Sequence, residues 1–172
     1  MNKCTLILGG AASGKSAYAE SLVFQEDRSR VYVATSQAWD DEMRQKIADH
    51  KAQRGPNWRT IEEPVDIAAA LATVSADEIV LIDCATLWLT NVMLGDHDLE
   101  AESRAFLAAI EACPAPVIIV SNETGLGIVP DNKLARDFRN AQGRLNQRLA
   151  QISDAVVFVA AGLPMVMKGS VT

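Results

Sequence analysis

Short apolar runs alternate with longer stretches of helical periodicity along most of the chain. Most of the runs are rich in valine and isoleucine, which is typical of strands covered on both faces of a parallel sheet. They lie at residues 3–8, 31–35, 79–83, 117–121 and 156–160. The helical stretches lie at residues 15–25, 40–54, 65–73, 99–112 and 134–152. This alternation predicts a doubly wound α/β sheet with right-handed crossovers.

The segment 162–172 is a candidate for one further strand. The whole chain of 172 residues has about the length of a single domain. No internal repeat, low-complexity tract or linker interrupts the alternating pattern. We therefore predict one domain over residues 1–172.

A glycine-rich turn separates the first predicted strand from the first predicted helix. Its residues are Gly9, Gly10, Ala11, Ala12, Ser13, Gly14, Lys15 and Ser16. This spacing is that of a P-loop, in which backbone N–H groups and a helix N-terminus bind nucleotide phosphates. Lys15 is expected to reach the β- and γ-phosphates, and the Ser16 hydroxyl to bind Mg²⁺. The alternative is a chance match, and the flanking strand and helix argue against it.

The run Ile79-Val80-Leu81-Ile82-Asp83 predicts a second part of the nucleotide site. Its four apolar residues end in a carboxylate, and open α/β sheets place ligand contacts at the carboxyl ends of their strands. Many core strands end in aspartate, so the run alone is a weak signal. Beside a P-loop, it predicts that Asp83 faces Mg²⁺ or the nucleotide.

Charge argues against a nucleic-acid partner. Acidic residues outnumber basic ones by 22 to 16, which gives a net charge of −6. Proteins that bind duplexes usually carry a basic patch, whereas this chain has no run of lysine and arginine.

The cysteines and the apolar stretches favour a soluble, cytoplasmic protein. Three cysteines without CxxC spacing are typical of a reducing compartment. They are Cys4, Cys84 and Cys113. The first apolar run is too short for a secretory signal. The longest apolar stretch, 79–94, is interrupted by Asp83, Thr86, Thr90 and Asn91, so we predict no membrane span.

One of the two histidines lies on a predicted helix among cations. Lys46, His50 and Arg54 follow one another at intervals of four, and so share a helix face. Neighbouring cations favour a neutral, nucleophilic imidazole and can also bind phosphates. From these residues alone, a solvated helix face is the simpler interpretation. His97 lies in a polar turn, where we expect it to be solvated.

Ordered blocks of residues along nearly the whole chain carry a more specific signal. Beyond the P-loop, the first half contains Val33-Ala34-Thr35-Ser36-Gln37, Asp41-Glu42-Met43, Ile47-Ala48-Asp49-His50-Lys51, Arg54 and Trp58-Arg59-Thr60-Ile61-Glu62. The second half contains Leu81-Ile82-Asp83-Cys84, Thr90-Asn91, Val120-Ser121-Asn122-Glu123 and the segment 125–130. It continues with the single residues Arg136, Phe138, Arg139 and Gly143 and ends in the block Asn146-Gln147-Arg148-Leu149-Ala150. In this order, the blocks resemble the bifunctional adenosylcobinamide kinase / adenosylcobinamide-phosphate guanylyltransferase family of cobalamin biosynthesis.

The resemblance implies a two-step enzyme with a corrinoid substrate. ATP or GTP phosphorylates the aminopropanol hydroxyl of adenosylcobinamide, and GMP is then transferred from GTP to that phosphate, which releases pyrophosphate. His50 is at the position of the family's guanylylated histidine. The implied GTP contacts are the P-loop residues, Ala34, Thr35, Ser36, Lys51, Ala52, Gln53, Arg54, Glu62 and Asp83. A RecA-like P-loop NTPase fold, with a mostly parallel sheet flanked by helices, and a homotrimer are implied as well.

Two positions depart from the family pattern. Ala12 stands where the family often has arginine, so one cation near the phosphates is missing. Asp83 stands where the family often has glutamate, so the carboxylate is one methylene shorter. Either change could alter the rate or the nucleotide preference, but neither removes a required group.

Other polar residues have less specific interpretations. Glu123 follows a predicted strand end and could orient the acceptor hydroxyl. Four arginines on the last predicted helix suit either a solvated or subunit-facing surface or the binding of substrate phosphate. They are Arg136, Arg139, Arg144 and Arg148. The tryptophans, Trp39, Trp58 and Trp88, are expected to be packing anchors.

Two other functions compete with the two-step enzyme. One is a simple P-loop kinase that never forms a nucleotidyl-histidine. The other is a GTP-dependent switch protein, which would read guanine with an Asn-Lys-x-Asp motif. The nearest string, Asn132-Lys133-Leu134-Ala135, lacks the aspartate, which argues against the switch.

Overall fold

The computed structural model describes residues 2–37 and 57–171. Within them, seven strands form one sheet in the order β3-β2-β4-β5-β1-β6-β7. The strands are β1 Cys4–Gly9, β2 Ser29–Ala34, β3 Trp58–Glu62, β4 Glu78–Asp83, β5 Val117–Asn122, β6 Ala155–Ala160 and β7 Leu163–Lys168. The described helices are α1 Lys15–Phe24, α2 Ile67–Leu71, α3 Ala85–Leu94, α4 Leu99–Ala112 and α5 Lys133–Ile152.

The sheet is parallel except at one edge. Every pairing from β3 through β6 is parallel, and β7 pairs antiparallel with β6. All five predicted strands are confirmed, and the tail contributes β7. The predicted helix at 40–54 lies outside the described residues. The predicted mostly parallel α/β fold is therefore confirmed.

Helices cover both faces of the sheet. Along β1, Ile7 packs with Ala19 and Val23 of α1, while Leu6 and Leu8 belong to the larger cluster on the other face. That larger cluster also contains side chains of α2, α3, α4 and α5. Because successive side chains of a strand point to opposite faces, an almost continuous apolar run is what a doubly covered strand requires.

Two elements were not predicted as such, β3 and α3. Strand β3 reads Trp-Arg-Thr-Ile-Glu and lies at the sheet edge, where it is only partly buried and lacks the apolar run of a central strand. Helix α3 follows β4 directly and is largely buried, so strand and helix merge into the single apolar stretch 79–94. Periodicity cannot separate a buried helix from a buried strand. Among the described residues, no helix is long and apolar enough to cross a bilayer.

Helix starts explain several of the boundaries. Asp66 caps α2 by accepting the Ala69 amide at 2.9 Å, which places the start of the helix later than predicted. Asp98 caps α4 and Asn132 caps α5 in the same way. Inside the core, Trp88 of α3 packs on Phe106 of α4 with ring centroids 4.7 Å apart. Trp88 is therefore a packing anchor, as predicted.

Candidate active site

The P-loop lies at the carboxyl edge of the sheet. It begins at Gly9, which is in register with Asn122 of β5 and Val159 of β6. The Glu123 amide donates to the Gly9 carbonyl at 3.0 Å and so holds the end of β5 against the start of the loop. Since open α/β sheets bind ligands outside the carboxyl ends of their strands, the loop is placed where a nucleotide cradle is expected.

Backbone conformation, rather than side chains, shapes the loop. Ala12 and Gly14 both have positive φ, 53° and 91°, in the left-handed region. A Cβ on Gly14 would lie 3.1 Å from the Gly162 Cα, and one on Gly9 would lie 2.6 Å from the Val159 carbonyl oxygen. Both glycines are therefore required by close approach of the backbone, and Gly14 by its φ as well.

Several polar groups of the loop are arranged to receive an anion. The Lys15 ammonium donates to the Gly10 carbonyl at 3.1 Å, so the lysine folds back along the loop. No side chain caps the start of α1, and its first turn contains no acidic residue. The Ser13 hydroxyl is buried and has no hydrogen-bond partner among the described residues. A helix start with open amides and a nearby ammonium favours bound phosphate.

Thr35 fastens the ends of β2 and β4 together. Its side chain is fully buried, and its hydroxyl both donates to the Cys84 carbonyl and accepts the Cys84 amide, each at 2.8 Å. The Asp83–Cys84 peptide bond, which contains that amide, is cis. The Tyr32 hydroxyl donates to Asp83 Oδ2 at 3.2 Å. The carboxylate of Asp83 is thus held from the neighbouring strand.

Helix α3 makes two further polar ties at this edge. The Asn91 amide donates to the carbonyls of Thr35, at 2.7 Å, and Pro64, at 3.0 Å. The Thr86 hydroxyl accepts the Asn122 amide at 2.8 Å. Hydrogen bonds of the Thr35, Thr86 and Asn91 side chains therefore hold the carboxyl ends of β2, β4 and β5 in position. In the sequence, Thr86 and Asn91 stand out as polar interruptions of an apolar stretch, and Asn91 also belongs to the Thr90-Asn91 block, but no pattern there gives either residue these bonds.

The predicted contacts outside the P-loop fall into two groups. Ala34, Thr35, Ser36, Glu62 and Asp83 lie at the carboxyl ends of β2, β3 and β4, and Ala34 is in register with both Glu62 and Asp83. His50, Lys51, Ala52, Gln53 and Arg54 lie outside the described residues. Strand β5 separates β4 from β1, so the first group lies to one side of the P-loop along the edge.

The thiol nearest the site is not a nucleophile. Burial raises the pKa of Cys84 to about 11, with the adjacent Asp83 carboxylate adding to the rise and the Lys15 charge opposing it. A thiol with this pKa is protonated at neutral pH, whereas the thiolate is the reactive form. Burial also raises the pKa of Cys4 to about 11, and all three cysteines are free and buried. Cys4 and Cys84 also have polar partners, since the Cys4 Sγ lies 3.3 Å from the Ser153 hydroxyl and the Cys84 Sγ accepts the Leu87 amide at 3.4 Å.

Comparison with known proteins decides the family. The family described as cobinamide kinase / cobinamide phosphate guanyltransferase matches residues 5–167. The chain belongs to this family. The bifunctional adenosylcobalamin biosynthesis protein CobP of Pseudomonas aeruginosa is 47% identical over 167 residues, which are 95% of this chain and 96% of the relative. The corresponding protein CobU of Escherichia coli is 40% identical over 180 residues, covering 95% and 98%.

Solved structures support the fold at much lower identity. The RadB recombinase covers 90% of this chain and 73% of its own, with a TM-score of 0.51 and 14% identity. An ATPase of a bacterial type III secretion system covers 95% and 56%, with a TM-score of 0.52 and 11% identity. The cobinamide kinase family member described here therefore has the RecA-like P-loop fold that its blocks implied.

In this member of the cobinamide kinase family, His97 and three of the four arginines of α5 contact other groups of the protein. His97 is exposed, and its Nδ1 lies 3.8 Å from a Glu102 carboxylate oxygen. Arg136 donates to the carbonyls of Pro130 and Asp131, and Arg139 donates to the Gly127 carbonyl at 3.4 Å. These arginines fasten the loop between β5 and α5, a role that neither interpretation of the sequence included. Arg148 pairs with the Glu100 carboxylate of α4 at 3.1 Å.

A buried polar network supports the end of β5 from α5. Ser121 donates to the Asn146 side-chain oxygen at 2.7 Å, and Gln142 donates to the Ser121 hydroxyl at 3.0 Å. Asn146 in turn donates to the Asn122 carbonyl at 3.0 Å. Sequence reasoning gave these residues no role. Their signal was polar side chains on the buried face of an amphipathic helix, which usually bond to one another or to nearby backbone groups.

Proposed function

We propose that this chain carries out both reactions of its family on one P-loop. ATP or GTP first phosphorylates the hydroxyl of adenosylcobinamide, and GMP is then transferred from GTP to the new phosphate, giving adenosylcobinamide-GDP and pyrophosphate. The observation that carries the proposal is the phosphate cradle of residues 9–16 at the carboxyl edge, beside Asp83 and Glu123. The family membership supplies the acceptor.

In the kinase step, the cradle neutralises charge on the transferred phosphoryl group. The loop amides and the start of α1 bind the β- and γ-phosphates, and Lys15 follows the charge as it moves to the leaving oxygen. Glu123 is held at the start of the loop through its own amide, so we assign it the orientation of the acceptor hydroxyl. Its carboxylate also accepts the Gly125 amide, which fixes the turn after β5.

The oxygen donors present fit a magnesium site. Ser16 and Asp83 supply a hydroxyl and a carboxylate, and Mg²⁺ prefers oxygen ligands from one or two protein groups together with phosphates and waters. We assign Ser16 and Asp83 as the protein ligands. When bound, the ion would neutralise the triphosphate.

In the second step, His50 would carry the GMP. A neutral imidazole nitrogen attacks the α-phosphorus of GTP, a P–N bond forms, and pyrophosphate leaves with the electron pair. An oxygen of the adenosylcobinamide phosphate then attacks the same phosphorus and releases the imidazole. Because the transfer is divided in two, the anionic acceptor phosphate does not have to attack the anionic triphosphate of GTP directly. Support comes from the block around His50 and from Lys46, Lys51 and Arg54 beside it in sequence.

The guanine nucleotide contacts are proposed on the same basis. Ala34, Ser36 and Glu62 lie at the ends of β2 and β3, on the side of the sheet edge reached from the P-loop across β5 and β4. Together with residues 51–54, they would bind the part of GTP that the P-loop does not reach.

We also propose a cytoplasmic homotrimer, and light scattering at micromolar concentration that reports a monomer would contradict the trimer.

The deciding experiment follows a label from the α-phosphate of GTP onto the protein. We expect wild-type protein to retain the label through alkali and lose it in acid, as a phosphoramidate does. His50→Ala should lose both labelling and guanylyl transfer while keeping the kinase step. His97→Ala is the matched control, since His97 is the other histidine of the chain, and it should label normally.

Four outcomes would contradict the assignment. Label on His50→Ala protein, or label mapped to His97, would show that another group is the nucleophile. Wild-type protein that phosphorylates adenosylcobinamide but never becomes labelled would favour the simple P-loop kinase. Hydrolysis of GTP without any acceptor phosphorylation would favour the regulatory switch.

A further inference from the structure

A largely apolar groove opens beside the phosphate cradle. Its volume is about 560 Å³, and it lies between the end of α3, the loop after β5 and the first turns of α5. Small-molecule pockets typically have volumes of about 300–1,000 Å³ with mostly apolar walls. The walls are formed by Met93 and Leu94 of α3, Pro130 of the loop, and Leu134 and Phe138 of α5.

The groove is continuous with the reacting end of the site. Thr90 and Thr124 line it. Thr124 follows Glu123, whose amide is bound to Gly9 of the P-loop. Thr90 lies one helical turn after Thr86, which holds the Asn122 amide. One end of the groove therefore lies beside the strand ends where the γ-phosphate would be delivered.

Exposure and charge suggest what occupies the groove. Leu94 and Leu134 are 64% and 58% exposed, and large apolar side chains exposed together commonly mark a ligand or partner site. Of the described residues that line the groove, Arg139 alone is charged. An occupant with a broad apolar body and one anionic group would match both features. The phosphorylated acceptor has that character, because a corrin macrocycle is large and flat and carries its phosphate on a side arm.

We propose that this groove binds the corrin ring of the acceptor, a site that rests on the proposed function. The ring packs against Met93, Leu134 and Phe138, and its side arm extends past Thr124 to Glu123 and the P-loop. Arg139 faces the phosphate that the kinase step adds, and so holds the intermediate for the second step. Its guanidinium already anchors the loop wall through the Gly127 carbonyl.

The test measures binding of cobinamide, followed by its visible absorption in equilibrium dialysis, to wild type and variants. Leu134→Asp places an acid in the first turn of α5, which favours the helix, so the variant should fold. We expect its dissociation constant for cobinamide to rise at least about tenfold, because apolar contact with the ring is lost and a charged carboxylate has to be desolvated against it. Leu94→Ser, on the opposite wall, should weaken binding in the same direction.

Met167→Asp is the matched control, because Met167 is 66% exposed on β7, on a different element. It should bind cobinamide as wild type does. The groove assignment is overturned if wild type does not bind cobinamide, or if Leu134→Asp and Leu94→Ser bind it normally. A change of mass in light scattering with normal cobinamide binding would assign the groove to a second copy of the chain instead. Wild type that binds cobinamide in the groove but transfers neither phosphate nor GMP would contradict the proposed function alone.

Discussion

The phosphate cradle and the apolar groove lie next to each other, but the cradle is formed mainly by backbone groups and the groove by side chains. The cradle is made of backbone amides, two left-handed residues and one lysine, and a Cβ added to Gly9 or Gly14 would lie 2.6 or 3.1 Å from another backbone atom. The groove is made of exposed apolar side chains on the ends of α3 and α5. A site formed by backbone groups requires particular glycines, because any side chain at those positions would strain the backbone. A site formed by apolar side chains can exchange one apolar residue for another and keep its shape. We therefore expect substitutions in the cradle to reduce both the stability of the protein and phosphate transfer, and substitutions in the groove to change acceptor binding while leaving stability nearly unchanged.

Lys15→Ala tests the cradle most directly. Both reactions should slow by at least about a hundredfold, or roughly 3 kcal/mol of transition-state stabilisation, because the phosphates lose a positioned cation. Cobinamide binding in the groove should be unchanged, as equilibrium dialysis would report. Lys3→Ala is the control, since Lys3 bonds the Glu111 carbonyl away from the site. Near-normal kinase activity of Lys15→Ala would show that the cradle is misassigned.

Thr35→Val tests whether the polar ties at the sheet edge support the cradle side. Valine keeps the shape of threonine but leaves the Cys84 amide and carbonyl without their buried partner. We expect the free energy of unfolding in urea to fall by about 2 kcal/mol, and the turnover number to fall with it because Asp83 is adjacent.

The conservative variant Thr35→Ser retains the hydroxyl and should recover most of the turnover. Recovery distinguishes a positioning role of the hydroxyl from simple loss of packing. If Thr35→Val and Thr35→Ser lose stability equally, the hydrogen bonds are not what matters at this position.

A pair of identical substitutions compares a glycine of the cradle with a glycine inside helix α5. Gly14→Ala forces a Cβ into a left-handed residue beside Gly162, so we expect a loss of about 1–2 kcal/mol and weaker GTP binding. Gly143→Ala lies within α5, where an added Cβ meets nothing, and should raise stability by up to about 1 kcal/mol. Thermal unfolding of both variants shows whether each substitution lowers or raises the stability of the protein. Two changes of the same sign would contradict the backbone argument.

The smallest effect is expected on the groove side. Ile128 is 97% exposed in the loop after β5, so Ile128→Ser should change the free energy of unfolding by less than about 0.5 kcal/mol. Urea titration measures this directly. A loss comparable to that of Gly14→Ala would mean that the loop is part of the core, and the contrast between the two regions would then disappear.

The same difference explains what the sequence could predict. The cradle follows from a few residue types at fixed spacing, so its position after β1 was predictable from the P-loop pattern alone. Strand β3 was missed because Arg59 and Glu62 interrupt its apolar character, and α3 was missed because its start, at Cys84, lacks the usual capping residues. The groove was not predictable from periodicity, since Leu134 and Leu94 belong to different elements and meet only in the folded chain.

Strand pairing at the centre of the sheet has a consequence for synthesis of the chain. Strand β1 emerges first, yet its two partners are β5 and β6, and the carbonyl of Ser13 in the P-loop is bound by the Gly162 amide at 2.8 Å. The cradle is therefore encoded near the beginning of the chain and completed by a turn near its end. We expect a nascent chain to bind nucleotide only weakly until that turn has left the ribosome, because the loop then still lacks the Gly162 hydrogen bond.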